Sequence, residues 1–178
     1  MNQHSISQQD DQLSGLITDL GNDDGLIRQR ARLQLEHLGK ESILALLEAL
    51  KNQNVNVRWE AVKALGEIHA PKTASALTGM LMDADTGARW TAMESLIRMG
   101  RHCLRPLLER FIKDFDSPRL REGTQHILHV LKDRHELNDL EITLFKELDK
   151  QIISPVIAAV TMATSCVLVV GNSLRLRH

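Results

Sequence analysis

Four arginines, Arg28, Arg58, Arg89 and Arg121, recur at intervals of 30, 31 and 32 residues, each with the same companions downstream. Three positions on comes a small residue (Ala31, Ala61, Ala92, Thr124), and four further a leucine (Leu35, Leu65, Leu96, Leu128). Twelve residues beyond stands Leu47, Leu77, Leu108 or Leu140. The echo includes an Arg-Trp pair, in "VRWEAVKALGEI" from Val57 and "ARWTAMESLIRMG" from Ala88. A period near thirty-one decides the architecture ahead of any other feature. A unit that short cannot bury an apolar face alone and must shelter it against a neighbouring copy.

Each copy reads as two helices. Val57, Ala61, Leu65 and Ile68 fall on one helical face, repeated by Ala88, Ala92, Leu96 and Met99. Gly39 and Gly100 stand where a helix C-cap belongs, and Pro71 stands just beyond the same point. A second helix follows, with Ile43, Leu46, Leu47 and Leu50 answered by Leu104, Leu107, Leu108 and Phe111. Polar breaks, "KNQNVN", "MDADTG" and "KDFDSP", separate the copies. The segment "QLSGLITDLGNDD" reads as an isolated second helix that caps the array. The expected division is a capping helix over 1–22 and repeats over 23–148 (23–52, 53–83, 84–115 and 116–148). An apolar helix with a short basic tail then covers 149–178.

The stretches "NVRWEAVKALGEI" and "DADTGARWTAMESLIRMG" resemble HEAT repeats, in particular the short type named after phycobilisome lyases, over roughly Asp23 to Leu131. The resemblance implies an all-α fold: a right-handed α-α superhelix of about four hairpins plus a terminal helix. First helices would lie on the convex side and second helices would line a concave face. It implies a non-catalytic scaffold for protein–protein interaction. It also admits a lyase or chaperone-type factor acting on a chromophore-bearing protein. The fourth copy, "SPRLREGTQHILHVL", departs by placing Gly123 and Thr124 at its small-residue position, and "HELNDLEITLFKELDK" pairs with it only loosely.

Composition narrows the function classes. A formal net charge of −1 supplies no field for a phosphate backbone, so nucleic acid is not an expected partner. Two Trp, three Phe and no Tyr favour aliphatic packing between close helices. Cys103 and Cys166 have no metal spacing, and the polar start "MNQHSISQQDDQLSG" carries no secretory signature, so the expected location is the cytoplasm. No nucleophile elbow, phosphate-binding glycine loop or carboxylate pair appears, and neither cofactor nor metal is expected.

The repeated arginines are read as a structural ladder. Arg28, Arg58, Arg89 and Arg121 would reach turn carboxylates: Asp23 or Asp24, Asp83 or Asp85, Asp114 or Asp116. Trp59 and Trp90 hold equivalent places one helix spacing apart, and either grip a partner's apolar side chain or cover the seams between copies. The expected concave face offers Lys40, Glu41, Glu48, Ser75, Thr78, Met82, Arg105, Glu109 and Lys113, a mixed set suited to a polypeptide. Glu122, His126, His129 and Asp133 share one face of the fourth first-helix and carry metal-ligand chemistry. HEAT-like iron hydroxylases, however, need several His-Glu dipeptides in repeat phase, and His135-Glu136 stands alone outside it.

From Gln151 to Leu174 no residue is charged. Ile152–Val170 approaches the length of a bilayer span, whereas Ser154-Pro155 resembles an N-cap and first helical position that shortens the helix. A membrane-tethered adaptor, a docked last helix and a self-association helix all stay open.

Overall fold

The computed structural model describes residues 3–114 and 116–149, and these form helices and turns with no strand among them. The described residues up to Leu137 make one compact unit, and those from Asn138 make a second.

In the first unit α1 (Gln3–Asp19) stands alone. Three hairpins follow: α2 (Gly25–Leu38) with α3 (Ile43–Ala49), α4 (Val55–Ile68) with α5 (Ala74–Gly79), and α6 (Thr86–Met99) with α7 (Leu104–Lys113). The unit continues through α8 (Pro118–Asp133). The first helices α2, α4, α6 and α8 pack one on the next, while α1 meets α3 and α5 meets α7 in a second row. This is a HEAT-type helical solenoid. Its first-helix core repeats as the sequence dictates. Ala31, Ala61, Ala92 and Thr124 are buried, and so are Leu35, Leu65, Leu96 and Leu128. Small residues let neighbouring helices approach. The closest such place is Gly66, where a Cβ would lie 2.8 Å from Ser95 Cβ, so α4 and α6 meet there with no room for a methyl group.

In the second helices and the residues just past them, the buried columns are Ile43, Ala74 and Leu104; Leu46, Leu77 and Leu107; and Leu50, Leu81 and Phe111. Leu16 on α1 and Leu20 just past its end hold the last two of these places and are buried. This corrects the expected register of Leu47, Leu77 and Leu108, because Leu47 and Leu108 are only half-buried. The reason is one extra residue in the second copy's inner turn. Thr73 lies eight positions after Leu65, but Ser42 and Cys103 lie seven after Leu35 and Leu96. Leu140, the expected fourth member, is 78% exposed and belongs to the second unit.

Each inner turn starts with a residue of positive φ: Gly39 (58°), His69 (52°) and Gly100 (56°). Glycine adopts that region freely, whereas a Cβ makes it costly, so His69 carries strain that its two counterparts avoid. The next buried position is Ser42, whose hydroxyl donates to the Leu35 carbonyl at 2.7 Å. Thr73 donates to Ala70 in the second copy, and Cys103 fills the place in the third. Burial pushes the Cys103 thiol up to about 12, so it stays protonated and unreactive near neutrality.

The second unit contains α9 (Asp139–Asp149). It opens on a capping box: the Glu141 amide donates to Asn138 Oδ1 at 2.9 Å, and the Asn138 amide donates back to Glu141 Oε2 at 2.7 Å. The apolar stretch Ile152–Val170, with Cys166 and the basic tail, lies outside the described residues. Among the described residues no helix is long and apolar enough to cross a membrane.

Candidate functional site

The junction between copies is built from a short polar code. Asn22, Asn52 and Asp83 each accept, through Oδ1, the backbone N–H two residues on, closing an Asx turn. That second residue then caps the following helix. Asp24 accepts from Leu26 N, Asn54 from Asn56 N, Asp85 from Ala88 N, and Ser117 from Leu120 N. Four positions into the helix the repeated arginine reaches back over the turn. Arg28 donates to the carbonyls of Asn22 and Asp23, Arg58 to those of Asn52 and Gln53, and Arg89 to those of Asp83 and Ala84.

The expected ladder of arginines on turn carboxylates is therefore corrected at Arg28 and Arg89. These arginines satisfy backbone carbonyls of the turns between copies. Asp85 is a cap, Asp116 is exposed, and Asp114 pairs with Arg110. Arg121 keeps the same place in α8 and is half-buried. Arg58 does reach a carboxylate, Asp83 of the next turn, through two bonds of 2.8 and 3.0 Å. Burial pushes the Asp83 carboxyl up, but the Arg58 guanidinium, the Asp85 amide and Arg89 outweigh it and hold the group below the usual carboxylate range.

Two residues after each arginine lies the position that faces the preceding copy, and it differs every time. Between the first and second copies it is Glu60, 5% exposed, with Arg32 Nε at 2.9 Å and Arg28 and Lys63 each at 3.9 Å. Arg32 Nε lies out of hydrogen-bond line with Glu60, so the contact is an ion pair. Between the second and third copies it is Thr91, whose hydroxyl donates to Gly87 and accepts from Trp59 Nε1 at 2.7 Å. Lys63 covers the same indole at 3.3 Å from the ring centroid, a cation–π contact. Burial lowers the Lys63 ammonium, and Glu60 opposes it.

Between the third and fourth copies the facing residue is Gly123. Trp90, the counterpart of Trp59, is 52% exposed there, and its ring lies 5.3 Å from that of His126. A cleft of about 230 Å³ opens beside it, with Leu81, Met93 and Gly123 in its walls. The two tryptophans thus serve separate junctions, one closed and one open.

The second-helix row holds the remaining expected positions. Leu44, Ser75 and Arg105 are equivalent and all exposed, Leu44 at 75%. Arg105 and Glu109 pair at 2.8 Å on open surface, beside exposed Lys113. Met82 is half-buried, and its sulfur accepts from Arg110 Nη2. Thr78 is corrected: it is fully buried, because its hydroxyl donates to the Ala74 carbonyl of its own helix. Sequence reasoning missed Leu44. It lies over a groove of about 550 Å³ between α1 and α3, with Leu13, Ile17 and Ala45 alongside and Glu41 and Glu48 at the rim. The signal was present in "ILALLEAL", which holds more leucines than one buried stripe can use.

Of the expected metal-bearing face, His126 lies against Trp90, while Glu122, His129 and Asp133 are exposed. Among the described residues no group of three or more His, Cys, Asp or Glu is placed to hold a metal ion.

The family model for HEAT repeats matches the chain twice, over residues 13–97 and 43–129. Together the matches span 13–129, well over half of the 178 residues. They carry no phycobilisome-lyase label. No curated protein matches the chain.

Proposed function

The chain belongs to the HEAT-repeat family, and from that premise we propose that it is a scaffold without chemistry of its own whose second-helix row binds another protein. Leu44 carries the reading. A leucine three-quarters exposed, lying on a groove with further apolar walls, gives a partner side chain a place to bury. The row around it supports the same conclusion. Its buried columns repeat from copy to copy, while the outward column changes from Leu44 to Ser75 to Arg105. Packing constrains the first set and leaves the second free to match a ligand. Surface pairs such as Arg105–Glu109 contribute little to folding, so they are available for recognition.

Capture of interacting proteins from native extract on the immobilised chain, compared with Leu44→Glu and Arg105→Glu, tests the proposal. Both substitutions lie on exposed positions, and melting should stay within about 0.5 kcal/mol of the parent. A bound polypeptide lost from both variants supports the row as the contact surface. An unchanged bound set, with folding intact, overturns it.

A further inference from the structure

We propose that the cleft between α6 and α8 is a second binding site, taking an extended peptide segment that presents one large apolar side chain next to a carboxylate. It lies on the first helices, so it is separate from the second-helix row and stands or falls independently of it. Three observations carry the inference.

The first is the open junction itself. At the preceding junction the Thr91 hydroxyl accepts the indole N–H of Trp59, and Lys63 covers the ring. At this one the facing residue is Gly123, and among the described residues no acceptor meets the Trp90 N–H. The ring lies half in solvent, with His126 at one side. An indole held at the edge of an apolar recess, with its donor unused, suits a peptide that brings both an apolar side chain and a backbone carbonyl.

The second is size. The recess of about 230 Å³ falls below the roughly 300–1,000 Å³ of sites that enclose drug-sized ligands. It accommodates a single phenylalanine or leucine side chain resting on Leu81 and Met93. A Cβ on Gly123 would meet Leu81 at 3.4 Å and Met93 at 3.6 Å, so any side chain there occupies the recess.

The third is charge. Arg89 and Arg119 line the cleft, with Glu122 the one acid among its lining residues. Arg89 is already engaged with the Asp83 and Ala84 carbonyls and the Thr86 hydroxyl. Arg119 is exposed, and among the described residues it has no carboxylate partner. A guanidinium free at the mouth of an apolar recess pairs best with a carboxylate, in a bidentate contact. One such arginine does not make a phosphate track, and the chain's net charge of −1 adds no field toward one. A peptide is therefore favoured over a nucleic acid.

The test is a titration of the full chain with capped tetrapeptides in which Phe adjoins Glu, followed by tryptophan emission and by backbone amide shifts. Parallel arms use the Phe-Gln peptide, a Phe-Lys peptide and a short single-stranded oligonucleotide. The Phe-Glu peptide should bind best and shift the amides of α6 and α8. Arg119→Ala should weaken it about tenfold while leaving the Phe-Gln peptide unchanged. Gly123→Thr, which gives this junction the residue of its closed neighbour, should weaken both peptides. If Gly123→Thr disturbs folding, Trp90→Ala at an exposed position serves the same purpose. Equal binding of the Phe-Glu and Phe-Lys peptides, stronger binding of the oligonucleotide, or shifts confined to α1 and α3 would each overturn the assignment.

Discussion

The junctions on either side of α6 are made from nearly the same words and end differently. On one side Trp59 is half-buried, hydrogen-bonded to Thr91, roofed by Lys63 and flanked by the Arg58–Asp83 pair. On the other Trp90 is half in solvent, and Gly123 replaces Thr91. Both rest on the same aliphatic core, with Leu65 behind one and Leu96 behind the other, each fully buried. In a solenoid, then, the interior column fixes the stacking of copies. One outward residue per copy decides whether the joint is sealed or open to a ligand.

The sharpest way to break that comparison is through the core. Leu65→Ala and Leu96→Ala should each cost about 2–5 kcal/mol in denaturant melts, since both delete a fully buried side chain. A loss from Leu65→Ala with none from Leu96→Ala would mean that the open joint loosens its core as well as its surface.

A smaller effect separates the charged flanks. Asp83→Asn should cost about 1–3 kcal/mol at neutral pH by weakening the contact with Arg58. Because the folded Asp83 carboxyl is held below its ordinary value, its contribution is complete above about pH 4 and is lost as pH falls through the depressed value. The parent should therefore lose stability faster than Asp83→Asn on acidification, and parallel curves in acid would contradict the assignment.

The smallest effect is the hydroxyl. Thr91→Val keeps the shape and removes the acceptor of the Trp59 N–H, at about 1 kcal/mol. Emission from Trp59 should shift with it. An unaltered spectrum and melt would remove the hydrogen bond as the reason the two joints differ.

Much of this architecture was legible in the spacing of Arg28, Arg58 and Arg89, because a helix position that recurs with its neighbours has one packing solution. What the arginines touch was not. A guanidinium near acidic turns reads as an ion pair, whereas these turns need donors for their carbonyls more than partners for their carboxylates. The second-helix register slipped because Ala70-Pro71 adds a residue that leucine-rich sequence on both sides conceals. Thr78 was placed outside for its polarity, although a hydroxyl that donates to its own helix is readily buried. Gly123 looked like a lapse in the pattern. Comparing Glu60, Thr91 and Gly123 beside the tryptophans would have revealed the open joint from sequence alone.

The variable facing residue also fixes the order of the copies. Each joint works like a keyed connector: the acid of Glu60 mates with Arg28 and Arg32, and the Thr91 hydroxyl mates with Trp59. Transplanting the third copy onto the first would set a hydroxyl against two guanidiniums and strand an indole elsewhere. Shuffled assemblies of these units should therefore stack through their leucines yet seat poorly, so that new arrays from this chain must be cut between mated halves and never through them.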